Sequence, residues 1–438
     1  MARTANQRQQ IGNTLEGGPT YVTLDKYQEL RRAVLTCLLW ENEFYRSGNE
    51  TADRIRKLAA ELPFDQVAEL ARDARTKYKL RHVPLWLVVA ILDSGAKGDR
   101  VSQLIADVIQ RPDEMTELVS LYWKNGKKPL ARQLKKGLAK AFVKFNEYSL
   151  AKFDKKGVIR VRDIMALCRP KPQSAEQEAL FRRIADRQMV TPDTWETNLS
   201  AGADKAQTFT RLIDERKLGP QALLKNLRNM VNFGVDYATI RKGLGNVKTE
   251  RVLPFEFISA ARHAPQFEPE LEELMFRCLG NDKFLKGTTT LLLDKSGSMN
   301  SLLSSKSELT RFDAAVGLAM LLREVCEHVN VVLFNDKTYN VKPRRGFALR
   351  DELHKTAQWG GTMLGHAIRS APKADRLIVL TDEASFDHVG GPPSKNSYMI
   401  NVATYEHTVG YGEWVRVAGW SEAIVDFIRE IEVQSASR

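Results

Sequence analysis

The chain has 438 residues, 43% of them hydrophobic, and a formal charge of +12. That length leaves room for two or three domains with cores of their own, and no run nears the roughly 18 apolar residues of a membrane-spanning helix. The four cysteines (Cys37, Cys168, Cys278 and Cys326) lie far apart without a CxxC or a nearby histidine pair, which sets aside a zinc site and a disulfide framework and suits a reducing cytoplasm.

The opening "MARTANQRQQIGNTLEGG" is polar and lacks the apolar core of a secretory signal, so residues 1–19 read as a flexible arm. From there to residue 285 the sequence reads as helix after helix. In "FDQVAELARDARTKY", Phe64, Val67, Leu70, Ala74 and Tyr78 recur at spacings of three and four, one apolar stripe on one face. "LDKYQELRRAVLTCLLW", "PLWLVVAILDSG", "DRVSQLIADVIQ", "AQTFTRLIDERKLG", "GPQALLKNLRNMVNFG" and "ELEELMFRCLG" repeat the theme, most of them bounded by Gly, Pro, Asp or Asn. No sequence period is visible, but many short amphipathic helices on brief loops suit stacked helical pairs. "GLGN" at Gly243–Asn246 reads as a loop without a preceding strand, not a phosphate cradle.

The positive charge sits in this helical half. Residues 124–171 hold 15 Lys and Arg against 3 acids, an excess equal to that of the whole chain. Such a concentration points to a polyanion, RNA or DNA being the usual one. Lys135, Lys136, Lys140 and Lys144 are candidate phosphate contacts; the spacing of four from 136 to 144 would put three ammonium groups on one helix face. Such a face repels itself and is easier to understand under an anion.

At residue 286 the rhythm changes. Thr288–Asp294, "NVVLFND", "DRLIVLTD" and "YMINVAT" read as strands, alternating with helices in "RFDAAVGLAMLLREVCEHV", after "GGTMLGHAI" and in "WSEAIVDFIREI". The alternation predicts a Rossmann-like α/β domain over 286–438, a parallel sheet covered on both faces. The stretch "LLLDKSGSMN" then ends a strand in a turn carrying Asp294, Ser296 and Ser298. Thr362 in "WGGTML" and Asp382 in "LIVLTDE" fall on loops that a parallel sheet opens at the same edge. Two carboxylates and three hydroxyls are hard oxygen donors suited to Mg²⁺, with Mn²⁺ as an alternative, leaving net positive charge for an outside acid. The plainer reading of D-x-S-x-S alone is a turn whose side chains cap backbone.

With Thr362 and Asp382 added, "DKSGS" resembles the metal-ion-dependent adhesion site of a von Willebrand factor A domain. Upstream, "LRHVPLWLVVA", "FDKKGVIRVRDIMALCRPKP", "TWETNLSAGADKAQTF", "ALLKNLRNMVNFGVD" and "RVLPFEFISAA" resemble the TROVE module of the Ro ribonucleoprotein family, bacterial members included. The resemblance implies a ring of HEAT-like helical repeats over 20–285, closed by the A domain and needing no second copy, hence a monomer. It implies a non-catalytic cytoplasmic protein binding Y-like small noncoding RNA and single-stranded ends of misfolded RNA, in RNA quality control alongside an exoribonuclease. Carried across with a gap, its RNA-contacting basic positions fall on Lys152, Lys156 and Arg169; Arg169 stands where animal members carry histidine, which keeps the charge and removes any pH switch. Two other functions stay open at this level: a metal-dependent phosphoesterase or nuclease using Asp294 and Asp382, and an adaptor whose A domain recruits a chaperone or ATPase.

Overall fold

The computed structural model describes residues 10–13, 19–21, 26–36, 48–154, 157–249, 252, 254–279, 285–303, 308–403 and 414–418, with 424, 425, 428, 429 and 432. Two compact units emerge: one of Lys26–Val34 and Asn49–Leu212, the other running onward from Ile213. Strands β1 (Gln10–Asn13) and β2 (Pro19–Tyr21) pair antiparallel, so part of the arm expected to be flexible is a hairpin.

The first unit is built of short helices packed against near neighbours. Phe64–Thr76 lies on His82–Asp93, which in turn packs on Pro112–Tyr122, and Asp99–Val108 lies on Arg132–Phe142. The His82–Asp93 helix departs from the single-stripe pattern: Val83 to Leu92 are all buried, as an element apolar all round must be. Trp86 there is core, and its indole N–H donates to the Ala52 carbonyl at 2.7 Å. The helix pair 99–108 and 132–142 approaches closely because Gly137 has no side chain; a Cβ at that position would run into Ile105.

The second unit begins with helices. Pro220–Asn232 packs on Tyr237–Gly245 and Pro254–His263. "GLGN", expected as a loop, closes the Tyr237–Gly245 helix, where Gly243 admits Leu223 and Ile213 to its backbone. The sheet follows as β3 (Leu285–Asp294), β4 (Cys326–Phe334), β5 (Thr338–Asn340), β6 (Arg376–Thr381), β7 (Asn396–Asn401) and β8 (Val415–Ala418). Their order is β5-β4-β3-β6-β7-β8, parallel except for the β5 edge. Leu291, Leu292 and Leu293 are fully buried, as a centre strand covered on both faces requires. The Arg311–Val325 helix covers one face and receives the Pro254–His263 helix, whose Phe255 ring lies over Gly317. That contact joins the helices after Ile213 to the sheet in one unit. Much of "WSEAIVDFIREI" lies outside the described residues.

Candidate functional site

Strand order places the metal-type residues together. The chain turns from β3 to β4 on one side and reaches β6 on the other, so the switch point falls between β3 and β6. In that register Leu293 faces Leu380, which sets Asp294 beside Thr381 and just ahead of Asp382. Thr381 Oγ1 donates to Asp294 Oδ2 at 2.6 Å, and the Ser296 N–H to its Oδ1 at 2.8 Å. The loop holding Thr362 is fastened to the D-x-S-x-S turn, the Gly297 N–H donating to the Gly360 carbonyl at 2.9 Å. Ser296 and Ser298 hydroxyls lie 3.1 Å apart.

Asp294, Ser296, Thr362 and Asp382 are fully buried. Thr362 Oγ1 makes no hydrogen bond among the described residues, although a buried hydroxyl without a partner is costly. Burial, and next the charge of Asp382, push the Asp294 carboxyl well above the usual carboxylate range. An orphan hydroxyl beside two mutually repelling carboxylates is what a hard cation would relieve, so the donor set fits Mg²⁺ or Mn²⁺.

Two cations that the sequence did not single out complete this edge. Lys295, within the motif itself, is buried and turns away: its ammonium donates to the carbonyls of Leu353 (3.0 Å), His354 (2.8 Å) and Thr356 (2.8 Å) at the end of the Gly346–Lys355 helix. A cation there complements the helix dipole. Arg311 opens the next helix and donates to Asp382 Oδ2 at 3.2 Å. Only the capping box around it, Thr310 to Asp313, carries a sequence signal.

Asp313 anchors that helix start. It accepts from the Thr310 N–H at 2.8 Å, the Thr310 hydroxyl at 3.0 Å and Arg262 Nη1 at 3.0 Å, and lies 3.5 Å from His354 Nε2. Burial alone would raise its carboxyl, but these donors, His354 first, hold it well below the ordinary value of 3.8. A depressed carboxylate stabilises the fold above its unfolded value and stops doing so as pH falls through the folded one. Asp313→Asn is therefore expected to cost about 1–2 kcal/mol at neutral pH. Thermal melts from pH 7 downward should show the gap between variant and parent closing below about pH 4; a constant gap would exclude the charge as its source.

The basic window divides into free and committed cations. Lys152 is exposed in the last turn of the Glu147–Phe153 helix, its ammonium 5.7 Å from the Tyr148 ring centroid. It lines a cavity of about 770 Å³ shared with Arg162, Arg187, Phe153, Met189 and Val190. Of the three acids at that cavity, Asp154 is bound to Arg160 at 2.8 Å, Asp163 accepts the Arg160 N–H at 2.8 Å, and Glu196 pairs with no cation among the described residues. Arg162 and Arg187 are exposed and pair with no acid among the described residues. Sequence reasoning named neither: Arg162 stands in the Val161–Cys168 helix and Arg187 in the turn after the Ala175–Ala185 helix, and they meet only through the fold. Arg169 is exposed in the left-handed region, φ 48°, at the end of the Val161–Cys168 helix; it does not line the cavity. Lys156 lies outside the described residues.

The expected lysine face is corrected by the structure. The helix runs Arg132–Phe142, so Lys144 is beyond its end. Its ammonium donates to the Ala106 (2.5 Å) and Ile109 (2.6 Å) carbonyls, and burial lowers its pKa. Lys140 is paired with Asp99 at 3.0 Å. Lys135 and Lys136 remain exposed in the opening turns, which carry no acid, the end where cations oppose the helix dipole.

A repeat of short helices leading into a parallel α/β domain with a hard-oxygen edge defines the class, and the comparisons agree. The TROVE domain model matches residues 185–359, less than half of the chain, so that stretch is similar to this domain. Telomerase protein component 1 of Mus musculus is 33% identical over 86 residues, which is 18% of this chain and 3% of that protein; the match thus spans a small part of that relative's length. The crystal structure of the Deinococcus radiodurans RO (RSR) protein superposes with a TM-score of 0.62 at 18% identity, over 93% of this chain and all, 100%, of that one. The chain shares the fold of that structure: stacked short helices followed by a parallel α/β domain.

Proposed function

We propose that this chain is a non-catalytic RNA-binding protein of the Ro type, holding Y-like small RNA and unpaired ends of misfolded or decaying RNA in cytoplasmic RNA quality control. The observation that carries this reading is the cavity between the end of the basic window and residues 184–201, where Lys152, Arg162 and Arg187 pair with no acid among the described residues and lie beside Phe153, Met189 and Val190. Cations beside apolar surface suit phosphates and the faces of unstacked bases, which is how single strands are held. Lys135, Lys136 and Arg169 add exposed charge for the flanking backbone. An exoribonuclease is the partner that would consume the bound strand, and the chain acts as a monomer.

The α/β domain is proposed as a cation-dependent docking site. Asp294, Ser296, Ser298, Thr362 and Asp382 would hold Mg²⁺, and the ion would supply an electrophilic point for a partner's carboxylate. Hydrolysis is not favoured, because every carboxylate oxygen of Asp294 and Asp382 already accepts a hydrogen bond from within the chain.

RNA affinity measured against salt tests the reading. A hairpin with an unpaired 3′ extension should bind more tightly than the same hairpin with a blunt end, and log affinity should fall steeply with log salt. Equal affinity for both, or a flat salt dependence, would sink it.

A further inference from the structure

The oxygen-rich edge already contains a cation. Arg311 is 4% exposed. Its Nη1 lies 3.2 Å from Asp382 Oδ2 and 3.2 Å from the Ser298 carbonyl, so it touches two of the proposed ligand residues at once. The backbone is built to deliver it: the Arg311 N–H donates to the Ser301 carbonyl at 2.9 Å, and Leu303 N–H to the Leu309 carbonyl at 2.9 Å. The chain leaving Ser298 thus returns Arg311 to the Ser298 carbonyl and Asp382. Asp382 Oδ1 accepts the Ala384 N–H at 3.3 Å, so this carboxylate is oriented before any ion arrives.

The charge balance has a consequence. Two carboxylates would bring a bound divalent ion to neutrality; with the guanidinium present, the loaded site keeps a surplus positive charge. A like charge a few ångströms away in a buried site disfavours the ion strongly. An ordinary buried ion pair would serve only to hold the loop. Here the arginine's partner is itself one of the groups the ion needs, while Thr362 Oγ1 stays unpartnered nearby.

We propose that Arg311 is a resident cation of this site: it holds Asp382, sets the divalent-ion affinity low, and leaves the loaded site positively charged toward an acidic ligand. The inference rests on the metal reading above, and the test separates the two. Mn²⁺ is titrated into the full chain, with free ion followed by electron paramagnetic resonance, for the parent and for Arg311→Met, Arg311→Gln and Thr362→Val. The Met and Gln variants should bind Mn²⁺ about tenfold or more tightly than the parent, and Mn²⁺ should raise their melting temperature more. Gln retains a donor toward the Ser298 carbonyl and serves if Met fails to fold. Uptake by the variants and not by the parent would overturn the native metal site and with it the positively charged loaded site, leaving Arg311 as the group that occupies it. Parent binding that Thr362→Val abolishes, with Arg311 variants no tighter, keeps the metal site and overturns the role of Arg311. If neither parent nor variants take up the ion, both fall.

Discussion

Replacing Lys152, Arg162 and Arg187 together by Glu is expected to weaken single-stranded RNA binding about 100-fold or more near 0.1 M salt, since each lost phosphate contact is worth about 1 kcal/mol and reversal adds repulsion. The three line one cavity, and none is paired with an acid among the described residues. The salt slope should drop by about two units, from roughly 0.7 per phosphate on a single strand. Lys140→Glu is the control. That ammonium already sits 3.0 Å from Asp99, so its loss should shift RNA affinity little. Lys144→Met should leave RNA affinity alone and lower stability, because its ammonium closes two helix-end carbonyls. An affinity within threefold of the parent in the triple variant, or an equal loss in Lys140→Glu, would move RNA away from this cavity.

The contrast between those lysines shows where the sequence was readable. The metal-type set was legible because each member stands at a strand end or beside a Gly-Gly turn, and strand order in a parallel sheet leaves few places for such loops to go. The lysine spacing of four misled because it presumes that a helix continues. It stops at Phe142, whose ring is packed edge-on to Phe181 at 5.4 Å, and Lys144 then reaches back to the end of another helix. Nothing local encodes that. Arg311 was equally hidden: its neighbours Ser298 and Asp382 are 13 and 71 positions away. β5, three residues long and antiparallel at an edge, is too short for any period to show. The helices from Ile213 onward read as part of the helical half, yet pack with the sheet through Phe255 and Gly317, a matter of shape and not of pattern.

Lys295 and Arg311 also illustrate how one edge assigns two cations different work. Lys295 satisfies three carbonyls, and burial lowers its pKa, so its charge is spent on the end of a helix. Arg311 forks between a carboxylate and a carbonyl. The guanidinium of Arg311 is therefore held inside the site, where a bound ion would have to share it.

Glu114→Ala is expected to cost the helical unit about 3–5 kcal/mol, the range for stripping one partner from a buried ion pair. Glu114 is fully buried, and its Oε1 accepts from Arg75 Nη2 at 2.6 Å. Its Oε2 accepts the N–H groups of Gln110 (2.7 Å) and Arg111 (3.1 Å), closing the start of the Pro112–Tyr122 helix. The truncation would leave a guanidinium, itself 9% exposed, without its anion, and two amides without acceptors. Glu114→Gln should be milder, since the amide oxygen can still serve one donor. Pairing Arg75→Met with Glu114→Leu should recover much of the loss, because two apolar side chains of similar volume need no partners. Urea denaturation followed by far-ultraviolet circular dichroism measures all three. Were the double variant no better than Glu114→Ala, the damage would lie in the uncapped amides and not in the stranded charge; were Glu114→Ala within about 1 kcal/mol of the parent, the pair would contribute little to the fold.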